Sequence, residues 1–227
     1  LMHERQQKHQ TYDVKGCIVL GLEIMRRSEE TISFVTQAIA YGVPIIAVSS
    51  GTSFRAAQRA VGTALSVVNE QLPEAIRPWI VSMGGACVHD PRDELTSHSW
   101  LVDELLARAL IDEQDLACGY SVSPEFLKRA ISDNTKDLGV SVLDFFVIEG
   151  LERSLANRTD WQDRWLSAAE QMADSIRNGK ILQWGFALNE SSIMNEDWSA
   201  PEMLLQILED NGNVLPAVIL VKIDTNE

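Results

Sequence analysis

The chain has 227 residues, 45% of them hydrophobic and 23% charged. That is enough to bury a core without metal or disulfide support, and too apolar for a disordered, collagenous or disulfide-framed chain. The formal net charge is -14, from 19 basic and 33 acidic side chains, and a field of that sign repels phosphate, so neither nucleic acid nor an anionic membrane is an expected partner.

Residues 1–15 are polar and carry no apolar block of the kind a signal peptide needs, so they read as a tail ahead of one domain spanning 16–227. The first apolar run is 17–23. An amphipathic segment, 28–41, follows, with an acidic start at Glu29 and Glu30 and a stop at Gly42. A second run, 43–49, leads to an alanine-rich helix expected over about 54–68. The third run, 79–83, ends at Gly84 and Gly85. A long stretch comes next, with a polar loop around Pro91, an amphipathic segment over 100–110 and a helix over 124–138. Ser123 and Pro124 mark the start of that helix and Gly139 its end.

The fourth run is 142–148. A helix over about 161–177 is expected after it, capped by Thr159 or Asp160 and stopped at Gly179. The fifth run, 181–188, a helix over about 201–208 and a sixth run, 217–223, complete the chain. The longest apolar stretch, 215–221, is far too short to span a bilayer.

Six strands alternating with helices predict βα units and a parallel sheet. Strands that are apolar at consecutive positions are covered on both faces. Two architectures satisfy this pattern, a doubly wound sheet and part of a (β/α)8 barrel. Neither GxGxxG nor GxxxxGK[ST] occurs, which weakens the dinucleotide-binding and P-loop alternatives. Cys17, Cys87 and Cys118 are odd in number and widely spaced, so they are expected as buried reduced thiols in a reducing compartment, the cytoplasm.

Several segments, in order, resemble the aldo/keto reductase family. Leu138-Gly139-Val140 through Leu143-Asp144-Phe145-Phe146-Val147-Ile148 is similar to the family's LGxxxxDLYYLH segment. Gly179-Lys180-Ile181 through Gly185-Phe186 is similar to GKIRxxGVS, and Ser123-Pro124-Glu125-Phe126-Leu127 to SPEYL. Upstream, Ala38-Ile39 through Gly42-Val43-Pro44-Ile45 resembles AIxxGINFFDT, and Val61-Gly62-Thr63-Ala64-Leu65 resembles VLGxAL. The resemblance covers residues 16–226 and implies a (β/α)8 barrel, incomplete at about six βα units, with its site at the carboxyl ends of the strands.

The same resemblance implies that the chemistry has been lost. The family uses Asp, Tyr, Lys and His with a nicotinamide cofactor; the matching positions here hold Ala47, Thr52, Met83 and Glu149. A threonine hydroxyl is a far weaker acid than a phenol, and a methionine supplies no ammonium to assist it. The family's cofactor-binding Ser-Asn pair matches Ala187 and Leu188, its Gln matches Lys222, and only Asn226 is kept. The loop for the 2′-phosphate would follow an eighth strand. Retention of NADPH is therefore not expected. An arc of six strands leaves two edges, which another chain or another element is expected to cover.

Other residues admit two readings each. Glu149 is either a general acid or base or a solvated loop carboxylate, and the second is the simpler. Ser49, Ser50, Thr52 and Ser53 around Gly51 form either an anion-binding nest or a capping loop for the next helix. Ser82, with Gly84 and Gly85, either approaches a ligand or sits in a tight turn. Cys87, His89 and Asp90 fit no standard zinc spacing and read as a loop. Trp161, Trp165 and Trp184 are expected as core anchors. Lys222 either points into the barrel mouth, toward Glu149 or Glu23, or blunts an edge strand.

The sequence thus predicts a non-catalytic binding, regulatory or accessory subunit. It is expected to engage a protein partner or a second copy, with room for a small-molecule ligand at Ser49, Ser50, Ser82, Lys222 and Asn226. A repurposed non-redox enzyme working through Glu149 is the alternative, and a surviving NADPH-dependent oxidoreductase a third reading.

Overall fold

Short apolar runs bounded by glycine and proline become strands, and amphipathic segments between them become helices. In the computed structural model, which describes residues 17–20, 28–48, 56–71, 77–86, 104–151, 159–189 and 199–222, the elements run in strict alternation. They are β1 (Cys17–Leu20), α1 (Ser28–Ala40), β2 (Ile45–Val48), α2 (Ala56–Gln71), β3 (Trp79–Gly84), α3 (Glu113–Cys118), α4 (Pro124–Leu138), β4 (Leu143–Ile148), α5 (Trp161–Arg177), β5 (Ile181–Asn189), α6 (Ser199–Asp210) and β6 (Val218–Lys222).

Every neighbouring pair of strands is parallel, and the spatial order is the chain order, β1-β2-β3-β4-β5-β6. That order decides between the two architectures expected from the sequence. A doubly wound sheet reverses its order midway and carries helices on both faces. Sequential right-handed crossovers place every helix on one face, so the other face must curl on itself. The sheet is an incomplete (β/α)8 barrel.

Strand alternation sorts the core into two layers. Ile46, Val48, Ile80, Phe146, Ile148, Trp184, Phe186 and Leu188 face the helices and join Val35, Ile39, Val61, Leu65, Leu127, Trp165, Met172, Leu204 and Leu208 in one buried cluster. Ala47, Val81, Met83, Val147 and Ala187 form a second, smaller cluster on the inner face, lined by Ile45 and Phe145. Trp79 meets Phe145 there, ring centroids 5.4 Å apart. Trp165 and Trp184 are fully buried and Trp161 packs against the same core from a half-buried position, so all three are the anchors expected.

Helix ends follow the sequence with two corrections. Gly139 closes α4 in the left-handed region at φ 64°, as its lack of Cβ permits. Ser123 stands at the N-cap of α4, but its hydroxyl makes no cap bond; the start rests on Pro124 at the first helical position. Asp160, one of the two expected caps of α5, likewise caps by position alone. Of the expected segment 100–110, the described part begins at residue 104, with a single helical turn over 104–107. The short helix α3 was not expected.

Candidate functional site

The carboxyl ends of β3 and β4 meet in register, Met83 beside Val147 and Gly84 beside Ile148. The ladder then runs one bond further, because the Glu149 N–H donates to the Gly84 carbonyl at 2.8 Å. Gly85, at φ 109°, lies against this turn: a Cβ there would come within 2.9 Å of the Glu149 carbonyl oxygen. Gly150 is equally confined, since its Cβ would fall 2.3 Å from Cγ of Tyr120. Both glycines let neighbouring backbone or a ring approach where any side chain would collide.

Glu149 is only 2% exposed. The expectation of a solvated loop carboxylate is therefore overturned. Gly85 packs on the Glu149 backbone on one side of this turn, and the Tyr120 ring stands over Gly150 on the other.

Two of the four positions matched to the reductase residues share the inner face with each other. Ala47 and Met83 are both fully buried in the cluster with Val81, Val147 and Ala187. Met83 is also held through its backbone, as the Asn134 side chain of α4 donates to its carbonyl at 3.2 Å. Ala187 belongs to the same apolar cluster, while Leu188 faces the helices. Neither offers a polar atom for a carboxamide, so these residues do not fit a nicotinamide ring at the position the resemblance implied.

Ser82 does not converge with Glu149. Residues adjacent along a strand point to opposite faces. With Val81 and Met83 inward, Ser82 lies in the helix-facing layer, in register with Val48 and Phe146. It is fully buried, and its hydroxyl finds no hydrogen-bond partner among the described residues. Lys222 ends β6 in register with Asn189. Ser49, Ser50, Thr52, Ser53, Asn226, Cys87, His89 and Asp90 lie outside the described residues. Among the described residues no three His, Cys, Asp or Glu side chains gather as a metal site, and no helix is long and apolar enough to cross a membrane.

A polar network adjoins this turn that the sequence did not disclose. Asp112 and Asp115 form a reciprocal capping box on α3: the Asp115 N–H donates to Asp112 Oδ1 at 2.7 Å, and the Asp112 N–H to Asp115 Oδ2 at 3.3 Å. Arg164, on the first turn of α5, donates from Nη2 to both Asp115 carboxylate oxygens at 2.6 and 2.7 Å and from Nη1 to Asp112 at 3.3 Å. The Ser121 hydroxyl donates to Asp115 at 2.8 Å, and the Ser121 N–H donates to the Gly85 carbonyl at 2.7 Å. An antiparallel bridge pairs Ala86 with Tyr120. The Arg164–Asp115 pair, one guanidinium nitrogen shared between both carboxylate oxygens, is the strong member of the set, because it is charge-assisted and Asp115 is almost wholly buried. The one sequence signal was the spacing Asp112-x-x-Asp115 ahead of Gly119, which departs from the usual Ser/Thr-x-x-Glu box.

The fold is shared with solved aldo/keto reductases. The aldose reductase of Giardia lamblia superposes with a TM-score of 0.56 at 14% identity, over 91% of this chain and 57% of its own. The aldose reductase of Schistosoma japonicum gives 0.53 at 14% identity, over 91% and 56%. An aldo/keto reductase from Brucella melitensis gives 0.52 at 11%, over 91% and 57%. This chain thus spans a little over half the length of each. Neither a protein-family model nor a curated protein matches the sequence. At these identities the likeness is one of fold: an incomplete (β/α)8 barrel of the aldo/keto reductase kind.

Proposed function

We propose that the chain is an aldo/keto reductase relative that no longer performs carbonyl reduction and acts as a binding, regulatory or accessory subunit for a protein partner or a second copy. The observation that carries this reading is the inner cluster. Ala47 and Met83, where the family resemblance implies a carboxylate and an ammonium, are fully buried among Val81, Val147 and Ala187. An apolar plug neither acidifies a phenol nor supplies a proton, and Ala187 and Leu188 offer no grip on a carboxamide. A reducing compartment, the cytoplasm, fits three widely spaced cysteines.

The test is a titration with NADPH, read by tryptophan fluorescence and native mass spectrometry, followed by assays of NADPH-dependent reduction on a panel of aldehydes and ketones. The expected result is no binding below roughly millimolar cofactor, which corresponds to less than about 4 kcal/mol of affinity, and no turnover. Micromolar binding, or any cofactor-dependent reduction abolished by Glu149→Gln, overturns the reading.

A second reading rests on the burial of Glu149 at the sheet's carboxyl end, the usual place for catalytic groups in this architecture. There the carboxylate serves as general acid or base on a small metabolite without redox chemistry. A Glu149→Gln variant that folds normally but loses turnover of a carbon-acid or ester substrate would favour it.

A further inference from the structure

We propose that residues 112–121, clasped to α5 by Arg164, form a hinged cover over the carboxyl ends of β3 and β4 that controls access to Glu149. The inference rests on this geometry and goes beyond the reading of the chain as a subunit, since a cover serves a ligand-binding Glu149 as well as a catalytic one.

Three observations carry it. The segment touches the turn at several points on one side: the Ser121 N–H bonds the Gly85 carbonyl, Tyr120 bridges to Ala86, and the Tyr120 ring stands on Gly150, the residue after Glu149. The grip of α3 itself is polar, between flanks that Ile111 and Val122 anchor in apolar clusters. Within α3, Glu113, Gln114 and Ala117 are exposed and Leu116 is only half-buried; Asp115 is buried through its bonds to Arg164 and Ser121. An element tied by a few polar bonds rather than by core packing opens locally at a free energy below that of global unfolding. The cover itself also has backbone freedom: Gly119 sits at φ 80° with nothing within 4 Å of a Cβ. Arg164 is the natural latch, because one guanidinium holds both carboxylates of the α3 capping box.

Native-state amide exchange on the intact chain tests the cover without mutation. The Ser121 amide, donated to the Gly85 carbonyl, should open more often than the amides of the β3–β4 ladder, that of Glu149 included. Asp115→Asn, which keeps the shape and removes the charge, should speed Ser121 exchange by about tenfold, equivalent to 1.4 kcal/mol. Carbodiimide coupling at Glu149, mapped by peptide mass spectrometry, should rise by a similar factor while the thermal midpoint moves little. Arg164→Ala should do the same more strongly; if it fails to fold, the wild-type and Asp115→Asn exchange data decide. The proposal is overturned if Ser121 becomes labile while Glu149 keeps its coupling rate, or if Ser121 exchanges only with global unfolding. None of these outcomes depends on NADPH, so the cover and the subunit reading fail separately.

Discussion

Gly62 is where α2 meets α4, and it has no room for a methyl group. A Cβ there would lie 2.2 Å from the Asp137 carbonyl oxygen and 3.0 Å from the Leu138 backbone. Helix propensity and packing therefore predict opposite signs for Gly62→Ala. Propensity alone would stabilise α2 by about 1 kcal/mol. Overpacking against rigid backbone costs about 1–3 kcal/mol. Because the clash is with main chain and not with a flexible side chain, we expect a net loss of about 1–2 kcal/mol by chemical denaturation. An increase in stability would mean that the two helices can part at little cost. The residue scale also shows what a sequence leaves open. That Ser82 and Met83 face opposite ways follows from strand alternation alone, and could have been read at once. The burial of Glu149 could not, because its turn is bordered by Gly85, 64 positions before it, and by Tyr120 against Gly150, in a different segment.

At the scale of elements, the strands were legible because both their faces are covered, which writes them as consecutive apolar runs. The helices α4 and α5 were legible to the residue because proline, glycine and a 3.6-residue apolar stripe mark them. The helix α3 was not. It has six residues, Glu-Gln-Asp-Leu-Ala-Cys, too few to show a period, and its stability comes from Arg164, 49 positions beyond Asp115. The join between α6 and β6 is a similar long-range device. The indole Nε1–H of Trp184 donates to the Val214 carbonyl at 3.1 Å, fastening that connection to the middle of β5. Trp184→Phe keeps most of the buried ring and deletes the donor. The expected cost is about 1 kcal/mol, somewhat more with the smaller ring. Exchange at residues 211–217 should quicken, while amides of α5 stay protected. Uniform loss of protection across β4 and β5 would show instead that the ring's volume, not its N–H, is what counts.

At the scale of the whole molecule, the informative feature is where the apolar surface lies. Among the described residues, the exposed large hydrophobics are Phe34, Tyr41, Met203, Val214, Leu215 and Ile219. The first two belong to α1 and its end, at one end of the arc, and the other four to α6, β6 and their connection, at the opposite end; none lies on β2 to β5 or on α2 to α5. Both ends of the sheet are thus apolar as well as short of a strand neighbour among the described residues, a combination that favours association through those ends. Val214, Leu215 and Ile219 are each 44% exposed, so covering what remains open is worth about 1 kcal/mol apiece. If the ends are used, Ile219→Lys should weaken association five- to tenfold, and Leu215→Lys with it about fiftyfold, measured by light scattering after size exclusion. Salt then separates the two kinds of partner. Two copies each carrying -14 repel one another, so self-association through apolar ends should tighten as ionic strength rises and the Debye length falls to about 8 Å at 0.15 M. A basic partner drawn to the acidic surface should instead be released by the same salt. A wild-type chain that stays monomeric at every ionic strength, with variants indistinguishable from it, would rule out the ends as a self-association surface.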